Sequence, residues 1–577
     1  HAHGQGYADL NFMIPELATD VTYTKGTYYA DEGDFASVGS VHVRYRDTIE
    51  DRVGLTAGSF DFQRLLTAGS TPVAAGHLLG ALELQHYDGP WVDPEDQRKV
   101  NAVLRYSGGS ARDGFSVTAM YYRGLWNSTT DQPERAIASG LIGRFGSLDP
   151  SDGGEAQRES LSAEYGAPLA GGRLAASAYA IGNRLTLWND FTHFLVDPVH
   201  GDQEAQHEDR ATLGADASYT WAQSVAGVQT VFAVGWHTRH DTVDVWRLPT
   251  QDRVLLTPAQ LAAVDSPPGF SETDEVHLTS LAGYFEATTY WTAWMRSVLG
   301  FREDYLHGLD SGTHSGEAAA QIAQPKANLI FTPLPTTELY LSWGRGFHSD
   351  DLRGVTQAQS AGMRGAPLIA SQAGEEIGIR QQFMRSFTAT LALYALDAQS
   401  ETTYDPDVGQ DVAGPASRRY GAELNATWQV TRWLEAYGTY SANHARFRTP
   451  YDDGTGHIGE YLPNAPFAAG SLDLYVKHLG RWSGGLEYRY VGAFPLSSDD
   501  AIQGHGYREW NGDVRYDAPR GWTLGLALFN LLDVRTDAAE FWYVDRLQGE
   551  PPDGVADVHV HPLEPRAVRF TVTKHFD

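Results

Sequence analysis

Two short histidine pairs are the residues of this sequence whose type and spacing most clearly suit chemistry. The chain opens HAHGQGYADLNF, with His1 and His3, and a second H-x-H pair, His559 and His561, stands near the end in ADVHVHPLEPR. In an extended segment residues i and i+2 share a face, so both imidazoles of a pair can point at one ion. Together the pairs predict a four-nitrogen site for a first-row metal, because neutral imidazole suits zinc, copper, iron and nickel.

Other polar residues can extend this site or replace it. The predicted substrate-binding set therefore also contains residues beside the first pair and in GFHSDD: Gln5, Tyr7, Asp9, His348 and Asp350. The alternatives are a polar ligand held by Tyr, Gln and Asp, or ordinary solvated surface residues. Long polar stretches of the chain hold only slightly more histidines than their length predicts, so histidine frequency does not decide between these interpretations.

Composition excludes several classes of protein. The formal net charge of −30 disfavours nucleic acid as a partner, because phosphate is repelled by such a surface. The chain has no cysteine, which excludes disulfides and thiol chemistry. It carries no G-x-S-x-G, H-E-x-x-H or P-loop motif. We predict a protein that is not an enzyme and has no cofactor. A barrel hydrolase, with a Ser or Asp nucleophile beside a histidine at the outer rim, stays open as an alternative.

Period-2 alternation of apolar and polar residues dominates the sequence, and helical periodicity is nearly absent. SFTATLALYALDA, GWTLGLALFN and AVRFTVTKHF each place apolar side chains on one face and polar or small ones on the other. This pattern predicts strands with two different faces. No run approaches 18 apolar residues, so no transmembrane helix is expected.

The connections between these strands alternate between short and long. Tight turns such as MRSF, VTRW and APRG are separated by long polar stretches at 124–157, 186–207, 241–272, 347–373 and 535–564. Transmembrane barrels have short periplasmic turns and long outer loops. We predict an all-β fold: a 22-stranded antiparallel transmembrane β-barrel, closed because lipid cannot satisfy an open sheet edge.

Tryptophans mark one end of the predicted barrel. They lie at the tight turns, where an indole can place its N–H among headgroups and its body in hydrocarbon. A tryptophan that merely packs on a turn is the alternative for each one taken singly, but the recurrence favours an aromatic girdle formed by Trp291, Trp294, Trp433, Trp482 and Trp522.

The first fifty residues do not follow the hairpin pattern, and here the chain resembles the TonB-dependent transporters of the Gram-negative outer membrane. Ile14-Pro15-Glu16, the VTYTKG strand at 21–26, an acidic Tyr/Gly/Asp stretch and the strand at 41–45 are similar to the end of that family's plug domain. Within the barrel, GRGFHSDD, EYLPNAPFAAGSLDLYV and LALFNLLDVR are similar to its strand motifs. Asp577 after Phe576 is a small departure, because the family usually ends on an aromatic residue.

The resemblance implies an architecture, a location and partners. Residues 1–50 would be the C-terminal part of a plug domain held in the lumen of the barrel, a partial plug, and 51–577 the barrel in the cell outer membrane. The segment that carries His1 to Asp9 would be an apical plug loop that touches substrate. The chain would import a scarce nutrient, such as a metal ion or a siderophore chelate, driven by TonB with ExbB and ExbD. We expect a monomer in contact with lipopolysaccharide and outer-membrane lipid. A passive channel and a receptor for carbohydrate or another organic nutrient remain the alternatives.

Overall fold

The computed structural model describes residues 9–110, 113–262, 271–360, 366–405, 410–452 and 454–576. His1, His3, Gln5 and Tyr7 lie outside these ranges. Within them, four short helices and many strands are present, and none of the helices is long and apolar enough to cross a bilayer. The helices are the 3-10 turn Pro15–Leu17, α1 (Glu134–Ala138), α2 (Pro258–Leu261) and α3 (Leu352–Ser360).

The barrel strands in the first half of the chain lengthen from β3 to β12, and short strands lie in the loops between them. They are β1 (Ala18–Lys25), β2 (Gly39–Tyr45), β3 (Arg52–Gly58), β4 (Gln63–Val73), β5 (Gly76–Tyr87), β6 (Gln97–Gly109), β7 (Gly114–Asn127), β8 (Gln132–Pro133), β9 (Gly153–Leu169), β10 (Gly172–Asn189), β11 (Glu204–Val225), β12 (Val228–Gln251), β13 (Val254–Leu255), β14 (Glu272–Thr292) and β15 (Met295–Gly312).

Barrel strands and short loop strands alternate through the second half. They are β16 (Gly316–Leu334), β17 (Thr337–Ser349), β18 (Ile369–Met384), β19 (Phe387–Ala398), β20 (Thr402–Asp405), β21 (Gln410–Ala413), β22 (Ser417–Gln429), β23 (Leu434–Asp452), β24 (Ile458–Tyr461), β25 (Ala468–Leu479), β26 (Trp482–Val491), β27 (Phe494–Pro495), β28 (Gln503–Gly504), β29 (Tyr507–Ala518), β30 (Trp522–Phe529), β31 (Asp537–Asp545), β32 (Val555–Pro562) and β33 (Ala567–His575).

The long strands form one closed antiparallel barrel, which confirms the predicted fold. Twenty-two strands pair with their neighbours, and closure is made by β3, which pairs with β33 from Arg52 opposite His575 to Gly58 opposite Arg569. Every strand therefore has two partners, as a bilayer requires. The short strands β13 and β24 extend the barrel edge inside loops, and β8, β31 and β32 form a separate three-stranded sheet.

Short and long connections lie at opposite ends of the barrel. Two-residue turns such as 74–75, 170–171 and 226–227 are at one end, and connections such as 128–152 and 530–566 are at the other. The five girdle tryptophans all lie at or next to short turns, and all are exposed. The prediction that Trp433, Trp482 and Trp522 share one rim agrees with these positions. We refer to the opposite end as the outer end.

Residues 9–50, here called the lumen segment, cross the inside of the barrel. Apolar residues Ile14, Leu17 and Ile49 pack against the inner faces of β4, β5 and β6. Far around the wall, the amine of Lys326 on β16 donates to the Thr27 carbonyl at 2.7 Å. Contact with strands on nearly opposite sides means that the described part of residues 1–50 lies within the lumen. Assignment of 1–50 as a plug domain remains a prediction.

A pair of glycines lets the lumen segment approach the wall. Gly344 on β17 lies opposite Gly374 on β18. A Cβ built on Gly344 would stand 2.4 Å from the Thr27 carbonyl oxygen, and one on Gly374 would stand 2.9 Å from the Thr27 hydroxyl oxygen. Because neither glycine has a side chain, the Thr27 hydroxyl can approach the wall and donate to the Gly344 carbonyl at 2.8 Å. Glycine here permits close backbone approach.

Candidate functional site

A cavity of about 450 Å³ lies in the outer half of the barrel, between the start of the lumen segment and the inner faces of β7 and β9 to β12. We call it the arginine cavity. Asp9, Leu10 and Phe12 contribute from the lumen segment. The wall contributes the residues Tyr122, Ala156, Arg158, Tyr179, Ile181, Asn183, Arg184, Leu185, Glu208, Arg210, Thr212 and Arg239.

The strand register explains why cations converge here. Arg158 of β9 pairs with Asn183 of β10, and Asn183 pairs with Arg210 of β11. Side chains directly opposite one another in an antiparallel sheet are about 5 Å apart at their Cβ atoms. The row Arg158, Asn183 and Arg210 therefore presents two cations and an amide to the same part of the lumen.

Arg184 is adjacent to the inward-facing Asn183 on β10, so its side chain points to the outer surface, where it contacts Asp209 at 2.9 Å. Two of the three inward-facing arginines already have carboxylate partners: Arg210 contacts Glu208 at 2.9 Å and Arg239 contacts Asp241 at 2.7 Å. Their charges are thus largely compensated before any ligand arrives.

Arg158 differs from the other two inward-facing arginines, because in the described ranges it forms no ion pair. Its Nε is buried without a hydrogen-bond partner, as is that of Arg210. Its guanidinium carbon lies 4.5 Å from the centroid of the Phe12 ring, over the face of that ring. A guanidinium can stack on an aromatic ring and still offer its N–H groups at the edge to a planar anion. Arg158 is therefore the cation best placed to bind a carboxylate or another oxyanion.

The start of the lumen segment is held in place beneath this cation. The Asp9 carboxylate accepts from the backbone N–H of Asn11 at 2.7 Å, which closes a small turn. The Asn11 carbonyl in turn accepts from the buried side chain of Asn101 on β6 at 2.7 Å. Farther on, both oxygens of Glu16 accept from Arg64 at 2.7 and 2.8 Å. Asp9 and Phe12 are thus tied to the wall through polar contacts on two strands.

A larger cavity of about 750 Å³ continues toward the short-turn end. It lies between the lumen segment at 31–47 and the walls of β6 to β15, and it is lined by both signs of charge, including Asp34, Arg105 and Arg302. Tyr179 and Arg239 line both cavities. The two spaces are therefore adjacent, and these two side chains stand at their junction.

The last outer loop contains regular secondary structure, and the second histidine pair lies in one of its strands. β31 and β32 form a hairpin within it, and β32 also pairs with β8 from another outer loop. Arg135, in the same loop as β8, joins the two loops through ion pairs. It contacts three carboxylates of the last outer loop: Asp545 at 2.6 Å, Glu550 at 2.8 Å and Asp557 at 3.2 Å. We call β8, β31 and β32 the outer-loop sheet.

His559 is enclosed by this sheet. Its side chain has no exposed surface, its ring stacks on Tyr543 with centroids 3.6 Å apart, and its Nε2 lies 3.1 Å from Asp545. Its Nδ1 lies 3.1 Å from the Asp557 carbonyl oxygen. In the sheet as it stands, Tyr543 occupies the face and Asp545 the edge of the His559 ring, so the ring does not face open space; its role as a metal ligand stays a prediction.

The remaining predicted residues lie in three different places. His561 packs on Trp91, with ring centroids 4.7 Å apart, and burial lowers its pKa. His348 lies at the end of β17, its Nδ1 3.3 Å from Asp350, and its ring is tilted by 34° against that of Phe35 in the lumen segment, with centroids 6.0 Å apart. Asp9 lines the arginine cavity. Among the described residues, the structure thus brings none of the predicted histidines together, and the four-histidine site stays a prediction because His1 and His3 are not described.

Sequence reasoning missed the arginines. A signal was present: arginine stands on the polar inner face in the outer half of three of the four strands β9 to β12, in EAQRES, HEDRAT and HTRHDT. Finding it requires knowing which face of each strand points inward and which positions pair across strands.

The barrel sequence matches a known family over most of its length. The family model described as "TonB dependent receptor-like, beta-barrel" matches residues 86–531. The chain belongs to the TonB-dependent receptor family. The receptor is thus an outer-membrane protein, as predicted, and its family and fold are those of transporters and receptors.

Solved structures show the same fold at low sequence identity. The ferric citrate transporter FecA in its unliganded form matches with a TM-score of 0.76 and 14% identity, over 96% of this chain and 83% of that one. The siderophore receptor PiuA from Acinetobacter baumannii matches with a TM-score of 0.75 and 14% identity, over 96% and 86%. The copper transporter OprC matches with a TM-score of 0.72 and 15% identity, over 98% and 89%. No curated protein sequence matches this receptor.

Proposed function

We propose that this receptor imports an anionic metal chelate of the siderophore class, and that the arginine cavity is the first place where the chelate binds. The observation that carries the proposal is Arg158, a cation without an ion-pair partner among the described residues, stacked on Phe12 at the start of the lumen segment. Carboxylate, hydroxamate and catecholate chelates present the oxygen-rich, negatively charged surface that guanidinium groups recognise.

The position of the cavity supports uptake rather than adhesion. It lies toward the outer end of the barrel, and the second, larger cavity continues beside the lumen segment toward the short-turn end. A ligand bound at Arg158 would pass Tyr179 and Arg239 when the lumen segment moves. In this proposal TonB, with ExbB and ExbD, supplies the force, because a tightly held scarce nutrient is not released by diffusion alone.

The names of similar structures point to the same chemistry. FecA is named as a ferric citrate transporter and PiuA as a siderophore receptor. OprC is named as a copper transporter, which keeps direct metal uptake through the predicted histidine loop as the second candidate. A wide passive channel is disfavoured by the lumen segment, which contacts opposite walls.

The test is a ligand panel on the purified receptor in detergent. Tryptophan fluorescence is titrated with ferric citrate, a ferric catecholate, a ferric hydroxamate, copper ion and a neutral oligosaccharide. Saturable binding of at least one anionic chelate, weakened in Arg158→Gln and retained in the exposed wall variant Arg418→Gln, supports the proposal. Binding of the oligosaccharide alone, or equal chelate binding in Arg158→Gln and the unmodified receptor, contradicts it.

A further inference from the structure

A cluster of side chains on the exterior of the barrel has the composition of a metal site. His86 at the end of β5 lies beside Asp61, from the turn that joins β3 and β4, and beside Asp88, from the next outer loop. One ligand atom from each residue lies within 4.8 Å of the other two. In the part of the chain that the structure describes, this is the one group of three potential ligands with that spacing.

The cluster is separate from the transport path. Glu83 of β5 is buried and contacts Arg64 on the lumen side, whereas Leu82 and Leu84 are exposed on the opposite face. His86 shares the face of Leu82 and Leu84, because residues two apart in a strand point the same way. The imidazole thus stands on the outer surface of the barrel, above its lipid-facing leucines and at its outer end.

The distances fit a metal better than a hydrogen bond. Nε2 of His86 lies 3.3 Å from Oδ2 of Asp61 and 3.3 Å from Oδ1 of Asp88. Hydrogen bonds of charged groups are shorter, at about 2.7–2.9 Å. Tetrahedral zinc with ligands at about 2.0–2.2 Å has nitrogen-to-oxygen edges of roughly 3.3–3.5 Å. Two carboxylate oxygens at such an edge length from one nitrogen leave room for an ion between the three.

The surroundings hold each ligand in position. The side-chain amide of Gln63 donates to Oδ1 of Asp61 at 2.8 Å, which turns the other oxygen toward His86. The backbone N–H of Asp88 donates to the Phe60 carbonyl at 3.1 Å and so joins its loop to the turn that carries Asp61. The first bond orients the Asp61 carboxylate and the second holds the backbone that carries Asp88, both independently of the imidazole.

The other ring nitrogen of His86 faces a carboxylate as well. Oδ1 of Asp96 lies 3.7 Å from Nδ1, and Asp96 is itself held by Arg98 at 2.8 Å. Metal-binding histidines commonly direct their second nitrogen toward a carboxylate, which sets the tautomer and the ring orientation. At 3.7 Å Asp96 does not hydrogen-bond to the ring, so it can act on His86 only through its charge.

We propose that His86, Asp61 and Asp88 bind a first-row divalent metal, with zinc the best fit, at the outer rim of the barrel. One imidazole and two carboxylates supply three ligands, and water completes the fourth position. The ion joins the first hairpin turn to the loop after β5, across the strands next to the barrel closure. It is a bound ion of the rim and is not the transported nutrient.

The experiment uses the full receptor in detergent after treatment with a chelator. Cobalt is the probe, because four-coordinate cobalt absorbs visible light strongly and hexa-aqua cobalt does not. All variants are made in a His1→Ala, His3→Ala background, so that the predicted histidine loop does not contribute. The matched control is His307→Gln, since His307 also contacts a carboxylate on an exposed wall position, Glu317 at 2.8 Å, but has only that one.

The background protein and His307→Gln should each bind one cobalt with the four-coordinate spectrum, and zinc should displace it. His86→Gln should abolish the spectrum, and Asp61→Asn and Asp88→Asn should each weaken binding at least tenfold. Asp96→Asn should weaken it less than either of those variants, because Asp96 does not hydrogen-bond to His86. Asp61 lies in an exposed turn, so Asp61→Asn is expected to fold. It therefore still tests the proposal if His86→Gln fails to fold. An unchanged spectrum in His86→Gln and Asp61→Asn, or equal loss in His307→Gln, would overturn the proposal.

Discussion

Oδ1 of Asp545 lies 3.1 Å from Nε2 of His559, and both side chains have no exposed surface. The other carboxylate oxygen of Asp545 lies 3.9 Å from Nε2 of His193, which comes from a different outer loop. Asp545 therefore connects three loops, since Arg135 reaches the same carboxylate from a third. A buried charge of this kind is tolerated only while its partners stay in place.

Removal of the Asp545 charge should loosen the outer-loop sheet. In Asp545→Asn, Arg135 and His559 lose a buried anionic partner, and breaking such a pair costs about 3–5 kcal/mol. We expect faster hydrogen exchange in residues 537–562, measured by mass spectrometry, with the barrel strands unchanged. The exposed Asp553→Asn in the same loop is the control. Equal exchange in both variants would show that Asp545 does not hold the sheet.

The same cluster predicts a pH window for the loop contacts. Burial lowers the pKa of His193, but Asp190 and Asp545 outweigh it and raise the pKa above its ordinary value. The stabilisation that His193 gives to the loop contacts is therefore complete below about pH 6.5 and is lost as pH rises through the raised pKa. Burial raises the pKa of Asp545, but His559 and Arg135 outweigh it and lower the pKa, so this contribution exists above about pH 4 and is lost as pH falls through the lowered value.

Exchange in residues 190–203 and 537–562, corrected for intrinsic rates, should thus be slowest between about pH 4 and 6.5. Burial also raises the pKa of the neighbouring Asp202 to about 6, so the contribution of this group falls as pH rises from about 4 through 6 and shifts the slowest exchange toward the acid end of the window. His193→Gln should remove the part of the alkaline rise that belongs to the imidazole and leave the acid limb intact. An identical profile in this variant would contradict the assignment.

The ion pair between Glu16 and Arg64 should anchor the lumen segment. Burial raises the pKa of Glu16, but Arg64 outweighs it and lowers the pKa, so the carboxylate stays charged under neutral conditions. Glu16→Gln removes a bidentate contact at one end of the segment, and we expect larger single-channel conductance in planar bilayers. Asp20→Asn, whose side chain is exposed, is the control. Unchanged conductance would mean that the apolar packing of Ile14 and Leu17 suffices.

The predicted four-histidine site has a sharper test now that His559 is located. Asp545→Asn removes the carboxylate partner of Nε2 and loosens the sheet around the ring, so zinc affinity should rise if His559 is a ligand. Isothermal titration with zinc and copper compares this variant, the unmodified receptor and the variant with His1, His3, His559 and His561 all changed to Ala. Equal binding by the unmodified and fourfold variant proteins would end the idea of direct ligation.

Strand positions were predictable because alternation is a local property. Phe387–Ala398, Trp522–Phe529 and Ala567–His575 are strands where the sequence alternates, and the sequence of short and long connections indicated closure. The outer-loop sheet was not predictable in the same way, since β8 and β32 are far apart in sequence and polar loops carry no periodic signal. The enclosure of His559 depends on Tyr543 and Asp545 across that hairpin, so an H-x-H motif alone could not reveal it.

The arginine cavity shows that the arrangement of charged side chains could not be predicted from the sequence either. Arg158 and Arg210 are unremarkable in sequence, and their significance comes from sharing Asn183 as a cross-strand neighbour. An arginine remains available to a ligand only if it forms no ion pair, and the formation of ion pairs depends on the register of the strands. The sequence therefore predicted that the barrel wall has a polar inner face but not where that face concentrates uncompensated positive charge.

The pairing of β3 with β33 determines the order in which this molecule can assemble. The hydroxyls of Thr56 and Thr571 lie 2.9 Å apart at that seam, yet 515 positions of chain separate them. Strand β3 emerges from the ribosome early but has no second neighbour until the last strand has been synthesised. Contacts of such sequence separation are slow to form, and an unpaired strand edge invites aggregation meanwhile. The barrel can therefore close only after translation is complete. Until then the fold requires a chaperone that shields the unpaired strand edges.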